Sequence, residues 1–189
     1  MRPRRPSPLW LFGLALTIVV TSSPLRADQT DDRLPELFQG LAKTPSPIAA
    51  AQFEAKIWNI WVEHDDSEVM RFMAIGIQSM GQGNLRVAFN AFDHIIGMAP
   101  DFAEGWNKRA TVHYMLGQYD ASMRDIERTL ALEPRHFGAL SGMGLIFDAI
   151  GNPKAAADAW ERALAVHPHI KGARDRIEQL RSQEKGRPI

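Results

Sequence analysis

The constraint that most limits how this chain can fold is a period of 34 residues. Gly83, Gly117 and Gly151 are spaced by that step, and Pro100, Pro134 and Pro168 follow it too, each 17 residues after its glycine. Both residue types punctuate secondary structure: glycine reaches left-handed backbone without strain, and proline disfavours helical geometry in the residue before it. Two interleaved series at one period mean that the chain is built from copies of one unit. Such units bury little apolar surface alone and must stack.

Further positions keep the same step. Phe72, Trp106 and Leu140 coincide, as do Gly76, Ala110 and Gly144, then Ala88, Ser122 and Ala156, then Phe92, Ile126 and Trp160, then Ile95, Thr129 and Ala163. These residues resemble the tetratricopeptide repeat, which sets an aromatic, an apolar and a small residue on a first helix, alanines and an aromatic on a second, and then a proline. The resemblance covers three repeats, 69–102, 103–136 and 137–170. It implies an all-α fold, a right-handed α-solenoid of helix-turn-helix units.

The physics of a helix pair accounts for the residue types. Small residues at 76, 110 and 144 and at 88, 122 and 156 let two antiparallel helices approach closely, so that large side chains interleave between them. The glycines end each first helix. In the third repeat, Asn152 is placed to cap the second helix and Pro153 to occupy its first turn.

An array of this kind needs its ends covered. At the C-terminal end, 171–185 is expected to form a capping helix with Ala173, Ile177 and Leu180 facing inward, followed by a short tail at 186–189. At the N-terminal end, segment 34–68 is expected to form a degenerate helical pair, with helices at 34–42 and 48–63 separated by the breaker "KTPSP". Counting the period backward puts Trp58 and Trp61 near second-helix core positions, where they are expected to shield the open end of the stack. Residues 28–33, "DQTDDR", read as a flexible leader.

Residues 1–27 have the form of a secretory signal: Arg2, Arg4 and Arg5 precede an apolar run at 9–20, and the segment closes on Ala27. Twelve apolar residues fall short of the ~20 that span a bilayer. The expected location is therefore the periplasm, with retention as an inner-membrane anchor as the alternative, and only then a membrane contact. Arg4-Arg5 runs into Pro-Ser-Pro, which favours the general secretory route over twin-arginine export. The chain has no cysteine, so it has neither a disulfide framework nor a lipid-bearing cysteine. Without the four leader arginines, 18 of the 22 Lys and Arg remain against 22 Asp and Glu, a net charge of −4 that argues against a nucleic-acid partner.

The resemblance also implies a site. In that family the first helices of successive repeats line a concave groove that accepts segments of partner proteins. The corresponding positions are Met70, Met73, Ile77 and Met80, then Asn107, Thr111 and Tyr114, then Ser141, Leu145 and Asp148, with Lys108 at the rim or in solvent. Methionine suits surfaces that accommodate varied apolar partners. The positions used by the carboxylate-clamp version of the fold hold Met73, Ile77, Gly138 and Gly142 here, so recognition of a terminal carboxylate is not expected.

Chemistry has few candidates. His167 and His169 flank Pro168 without the further ligands that a metal needs, and His113 stands where the repeat commonly has tyrosine. No phosphate loop, nucleophile elbow or paired-histidine helix occurs, so no catalytic residue, metal or cofactor is expected. A metal-dependent or catalytic role through the histidines is the weaker alternative to a scaffold that binds a protein or peptide. One charged pair is expected to be structural. Arg109 and Asp125 occur together in the second repeat, whereas the equivalent positions are Ile75 and Ala91 in the first and Met143 and Ala159 in the third. That coupling predicts an ion pair between the two helices of one repeat.

Overall fold

The computed structural model describes residues 28–185; the expected signal and the tail lie outside them. The described residues form nine helices and no strand. α1 (Leu34–Lys43) and α2 (Pro47–Val62) make an N-terminal hairpin. Three helix pairs follow: α3 (Ser67–Gly81) with α4 (Leu85–Met98), α5 (Ala103–Met115) with α6 (Tyr119–Leu132), and α7 (Phe137–Ala149) with α8 (Pro153–Val166). α9 (Ala173–Lys185) packs on α8.

Each pair is made by size complementarity. A Cβ added at Gly76 would run into the Phe92 ring, and one at Gly144 would lie 2.8 Å from Trp160 Nε1, so glycine on the first helix makes room for an aromatic on the second. In the middle pair both partners are intermediate in size, with Ala110 against Ile126. The repeat glycines adopt the left-handed backbone that ends the first helices, at φ of 75° for Gly83, 72° for Gly117 and 73° for Gly151. Asn152 accepts a hydrogen bond from Ala155 N and so caps α8, with Pro153 in its first turn.

α9 buries Ala173, Ile177 and Leu180 against α8. Arg176 reaches from it to Asp148 on α7, and Arg181 to Glu161 on α8. The opposite end is different from expectation. α2 does not continue the stack beyond α3; it packs against α5, and α1 touches α8. The first repeat instead covers its own outer face with polar residues. Positions that face the preceding repeat are Gly105 and Val112 in the second unit and Ala139 and Ile146 in the third, all buried. In the first unit they are Arg71 and Gln78, both exposed. With nothing apolar left to cover there, the hairpin is free to dock elsewhere.

It docks along the edge where each repeat passes into the next. Gln29 donates to Asp101 O at 2.7 Å and accepts from Ala103 N at 3.1 Å. At the second turn the Arg135 guanidinium lies 4.3 Å over the Phe38 ring, and Trp61 stacks on His136 at 4.0 Å. At the third, His169 Nε2 donates to Thr44 O at 2.8 Å, and His167 Nε2 lies 3.2 Å from Glu54 Oε2. The segment at 28–33 is therefore ordered rather than a flexible leader. Asp31 is buried and grips Arg33 through both carboxylate oxygens, and Asp28 holds Thr30 through one.

Candidate partner-binding site

The first-helix faces of α3, α5 and α7 form the inner surface of the stack, and α2 lies across part of it. A Cβ at Gly138 would sit 2.6 Å from Trp58 Cη2, so the Trp58 ring rests directly on the α7 backbone. Trp58 and Trp61 meet edge to face at 5.3 Å, and both contact Phe137. The tryptophans expected to shield the end of the stack thus fill the boundary between the second and third repeats. Their partners there, Phe137, Val166 and Ile170, complete an apolar cluster with Leu34, Phe38 and Leu41.

This cover buries a charged network that the periodicity did not single out. Glu104 is 1% exposed. Its Oε2 accepts from Asn107 Nδ2 at 3.0 Å and from His136 Nε2 at 2.9 Å, and its Oε1 lies 2.9 Å from Lys108 Nζ. His136 Nδ1 accepts from Ala139 N at 3.1 Å, which caps α7. A carboxylate only accepts, so the His136 nitrogen facing Glu104, Nε2, is the donor. Burial pushes the Glu104 carboxyl up, but the Lys108 charge and the His136 hydrogen bond outweigh it and hold the group below the ordinary carboxylate range. The Lys108 ammonium also sits 5.3 Å over the Trp58 ring.

Several expected groove residues are therefore placed otherwise. Met73 is a core residue, 2% exposed among Val69, Ala88 and Phe92; at the border of the inner face its flexible thioether bends toward the helix pair. Met80 is half-buried at the edge of that cluster, and Met70 is half-buried with its sulfur accepting from His64 N at 3.2 Å. Asn107 is buried with its amide on Glu104. Lys108 is not a free rim lysine but the partner of Glu104. Asp148 is held by Arg176 of the capping helix. A methionine-rich open end to the groove is absent among the described residues.

What stays open is the later half of each first helix. Ile77 and Leu145 are each 40% exposed, Thr111 is exposed and Tyr114 is half-buried. Between α5 and α7 this strip deepens into a cleft of about 160 Å³, with Ser122 and Ile126 of α6 as its floor and Gly138 and Gly142 as its α7 wall. A larger recess of about 600 Å³ adjoins it at Gly138 and Ser141, between α2 and the third turn.

Arg109 donates through Nε and Nη2 to the two oxygens of Asp125, both at 2.8 Å, joining α5 to α6. A further donation, from Nη1 to Asp93 at 2.5 Å, reaches α4 of the preceding repeat. The hydrogen bonds that Arg109 donates to Asp125 raise the guanidinium further above its already high range, against burial. His113 packs on Phe89 and meets Gln118 at 2.6 Å. The imidazoles of His167 and His169 are committed to the hairpin. No group of three or more His, Cys, Asp or Glu side chains is arranged to hold a metal among the described residues.

The chain matches no family model. It is 35% identical over 148 residues to a TPR repeat-containing protein of Rhizobium etli, covering 78% of this chain and 72% of that one. To the small glutamine-rich tetratricopeptide repeat-containing protein 2 of Saccharomyces cerevisiae it is 26% identical over 122 residues, 60% of this chain but 35% of the other. Among solved structures, the first TPR of Spaghetti (RPAP3), bound to an HSP90 peptide, superposes with a TM-score of 0.61 at 18% identity, over 65% of this chain and 97% of that one. MamA superposes with a TM-score of 0.59 at 19% identity, over 74% and 79%. The periodicity, the helix pairs and the Rhizobium relative agree: the chain belongs to the tetratricopeptide repeat family. Its fold is that of protein–protein interaction modules.

Proposed function

We propose that this protein is a non-catalytic interaction module or scaffold that holds a segment of a partner protein on the open half of its inner face, in the bacterial periplasm. The observation that carries the reading is the division of that face: α2 covers its first half, while Ile77, Thr111, Tyr114 and Leu145 line a strip that nothing in the described chain covers. The neighbour with the HSP90 peptide bears on it as a case in which this fold holds a peptide. Affinity capture with the exported chain tests it. Ile77→Glu with Leu145→Glu places two charges on the strip without entering the core, and recovery of the same partner by that variant rejects the reading.

Export rests on the arginine-flanked apolar run at 9–20. No helix among the described residues is long and apolar enough to cross a membrane, so an anchored form depends on retaining that run. The mass of the exported protein separates the two: an intact N-terminus replaces the periplasmic form with the anchored one.

A further inference from the structure

We propose that the cleft between α5 and α7 is a recognition pocket for one uncharged side chain, aromatic or branched aliphatic, of the partner segment. The proposal rests on the reading above and gives that site its chemistry. The pocket exists because repeat three departs from repeat two. Positions that carry Glu104 and Lys108 on α5 carry Gly138 and Gly142 on α7, four residues apart on one helix face. Removing two long side chains leaves about 160 Å³ with Ile126 at its base and Tyr114 and Leu145 at its mouth. That is the scale of a cavity that accepts a benzene-sized group, about 150 Å³.

Its lining determines what can enter. No charged side chain lines the cleft. Three of the four hydroxyl-bearing side chains that do are turned inward to backbone carbonyls, and the fourth, Tyr114, stands at the mouth: Ser122 donates to Ala110 O at 2.7 Å, Ser141 to Phe137 O at 2.8 Å and Thr111 to Asn107 O at 3.0 Å. Asn107 Nδ2 is taken by Glu104. An entering carboxylate or ammonium would lose its hydration and meet no countercharge, whereas an apolar group gives up only water.

The chain supplies its own example of such an occupant. Trp58 reaches down from α2 and lays its ring on Gly138, with the Lys108 ammonium over the ring. Gly142, one turn further along α7, is touched only by the end of one flexible side chain: a Cβ there would meet Ile126 Cδ1 at 3.3 Å. A partner segment lying beside α2 would continue the row that Trp58 begins. Its backbone would rest in the recess of about 600 Å³ between α2 and the third turn.

The test uses a displayed library of 12-residue peptides, fused at both ends so that none carries a free terminus, selected on the exported chain. Peptides sharing one Phe, Leu or Ile are expected. Replacing that residue by Ala should weaken binding at least tenfold by fluorescence anisotropy, and so should filling the pocket with Gly142→Leu. Gly142 is not among the left-handed glycines, so the backbone accepts leucine, and an unchanged circular-dichroism spectrum confirms folding of the variant. Peptides selected through acidic residues, affinities indifferent to Gly142→Leu, or no selected peptide at all overturn the proposal. Concentration-dependent self-association abolished by Gly142→Leu gives the pocket to a second copy and overturns it as well. A captured partner that is lost on Ile77→Glu with Leu145→Glu but retained on Gly142→Leu leaves the proposed function standing and removes only the pocket.

Discussion

The Arg109 cluster allows one perturbation to be worked through. Asp125 is nearly buried and receives two guanidinium hydrogen bonds at 2.8 Å; Asp93 is exposed and receives one. Asp125→Ala strands a guanidinium that is mostly out of water, with only the solvated Asp93 to face it. Breaking a buried pair from one side costs about 3 kcal/mol or more. In a chain of this size each kcal/mol lowers Tm by about 2–4 °C, so a fall of roughly 6–12 °C is expected. Arg109→Met with Asp125→Ala copies the third repeat, where Met143 and Ala159 stand at these places. No charge is then stranded, and the double variant should lose only about 1 kcal/mol, since buried pairs are often replaceable by apolar residues. Asp93→Ala should lose no more than about 1 kcal/mol, as exposed pairs do. Thermal and urea unfolding of the three variants read all of this. If the double variant melts as low as Asp125→Ala, the coupling of Arg109 to Asp125 within the second repeat is not an ion-pair effect, and the reasoning fails.

The same structure makes further predictions. Trp61→Ala removes the stack on His136 and should cost about 3 kcal/mol or more; hydrogen exchange should show lost protection in 34–62 and little change in α3 and α4, and uniform loss would contradict an edge-docked hairpin. Because the folded Glu104 carboxyl is held below its ordinary range, its stabilising contribution is present above about pH 4.3 and is lost as pH falls through the lower folded value. Glu104→Gln should flatten that acid limb in urea titrations at successive pH values, and an unchanged slope would dismiss Glu104 as its source. Arg71→Ala with Gln78→Ile gives the first repeat the apolar outer face of the other two, so sedimentation should reveal self-association absent from the parent.

The helix pairs and their turns were legible because they rest on local rules repeated three times, a small residue opposite a larger one and a glycine where backbone turns left-handed, with an asparagine before a proline added in the third repeat; the capping helix was legible from its own apolar stripe. The place of the hairpin was not, since docking across the edge of a solenoid leaves no period to count. A signal existed nonetheless. Arg71 and Gln78 stand where Gly105, Val112, Ala139 and Ile146 stand in the other units, and polar residues at those places say that nothing stacks there. Reading the site failed where a position lies on a boundary. Met73 and Asn107 occupy the same step of the repeat, yet one turns into the core and the other is tied down on Glu104. Glu104 and Lys108, four apart on one helix face, were a visible pair whose role depended on a tryptophan more than forty residues earlier.

The hairpin's three anchorages also bear on how the chain assembles in time. A solenoid normally forms by neighbour-to-neighbour contacts, so each unit can settle as soon as the next is made. Here α2 is complete at Val62, but its seat includes Phe137 and His167. Synthesised from the N-terminus, the chain must carry Trp58 and Trp61 without their partners until the third repeat has emerged, and the loop that then closes spans the whole array. The last event of folding is thereby assigned to the first segment made, and the slow phase expected of such a long-range closure should report on tryptophan burial while the three repeats are already helical.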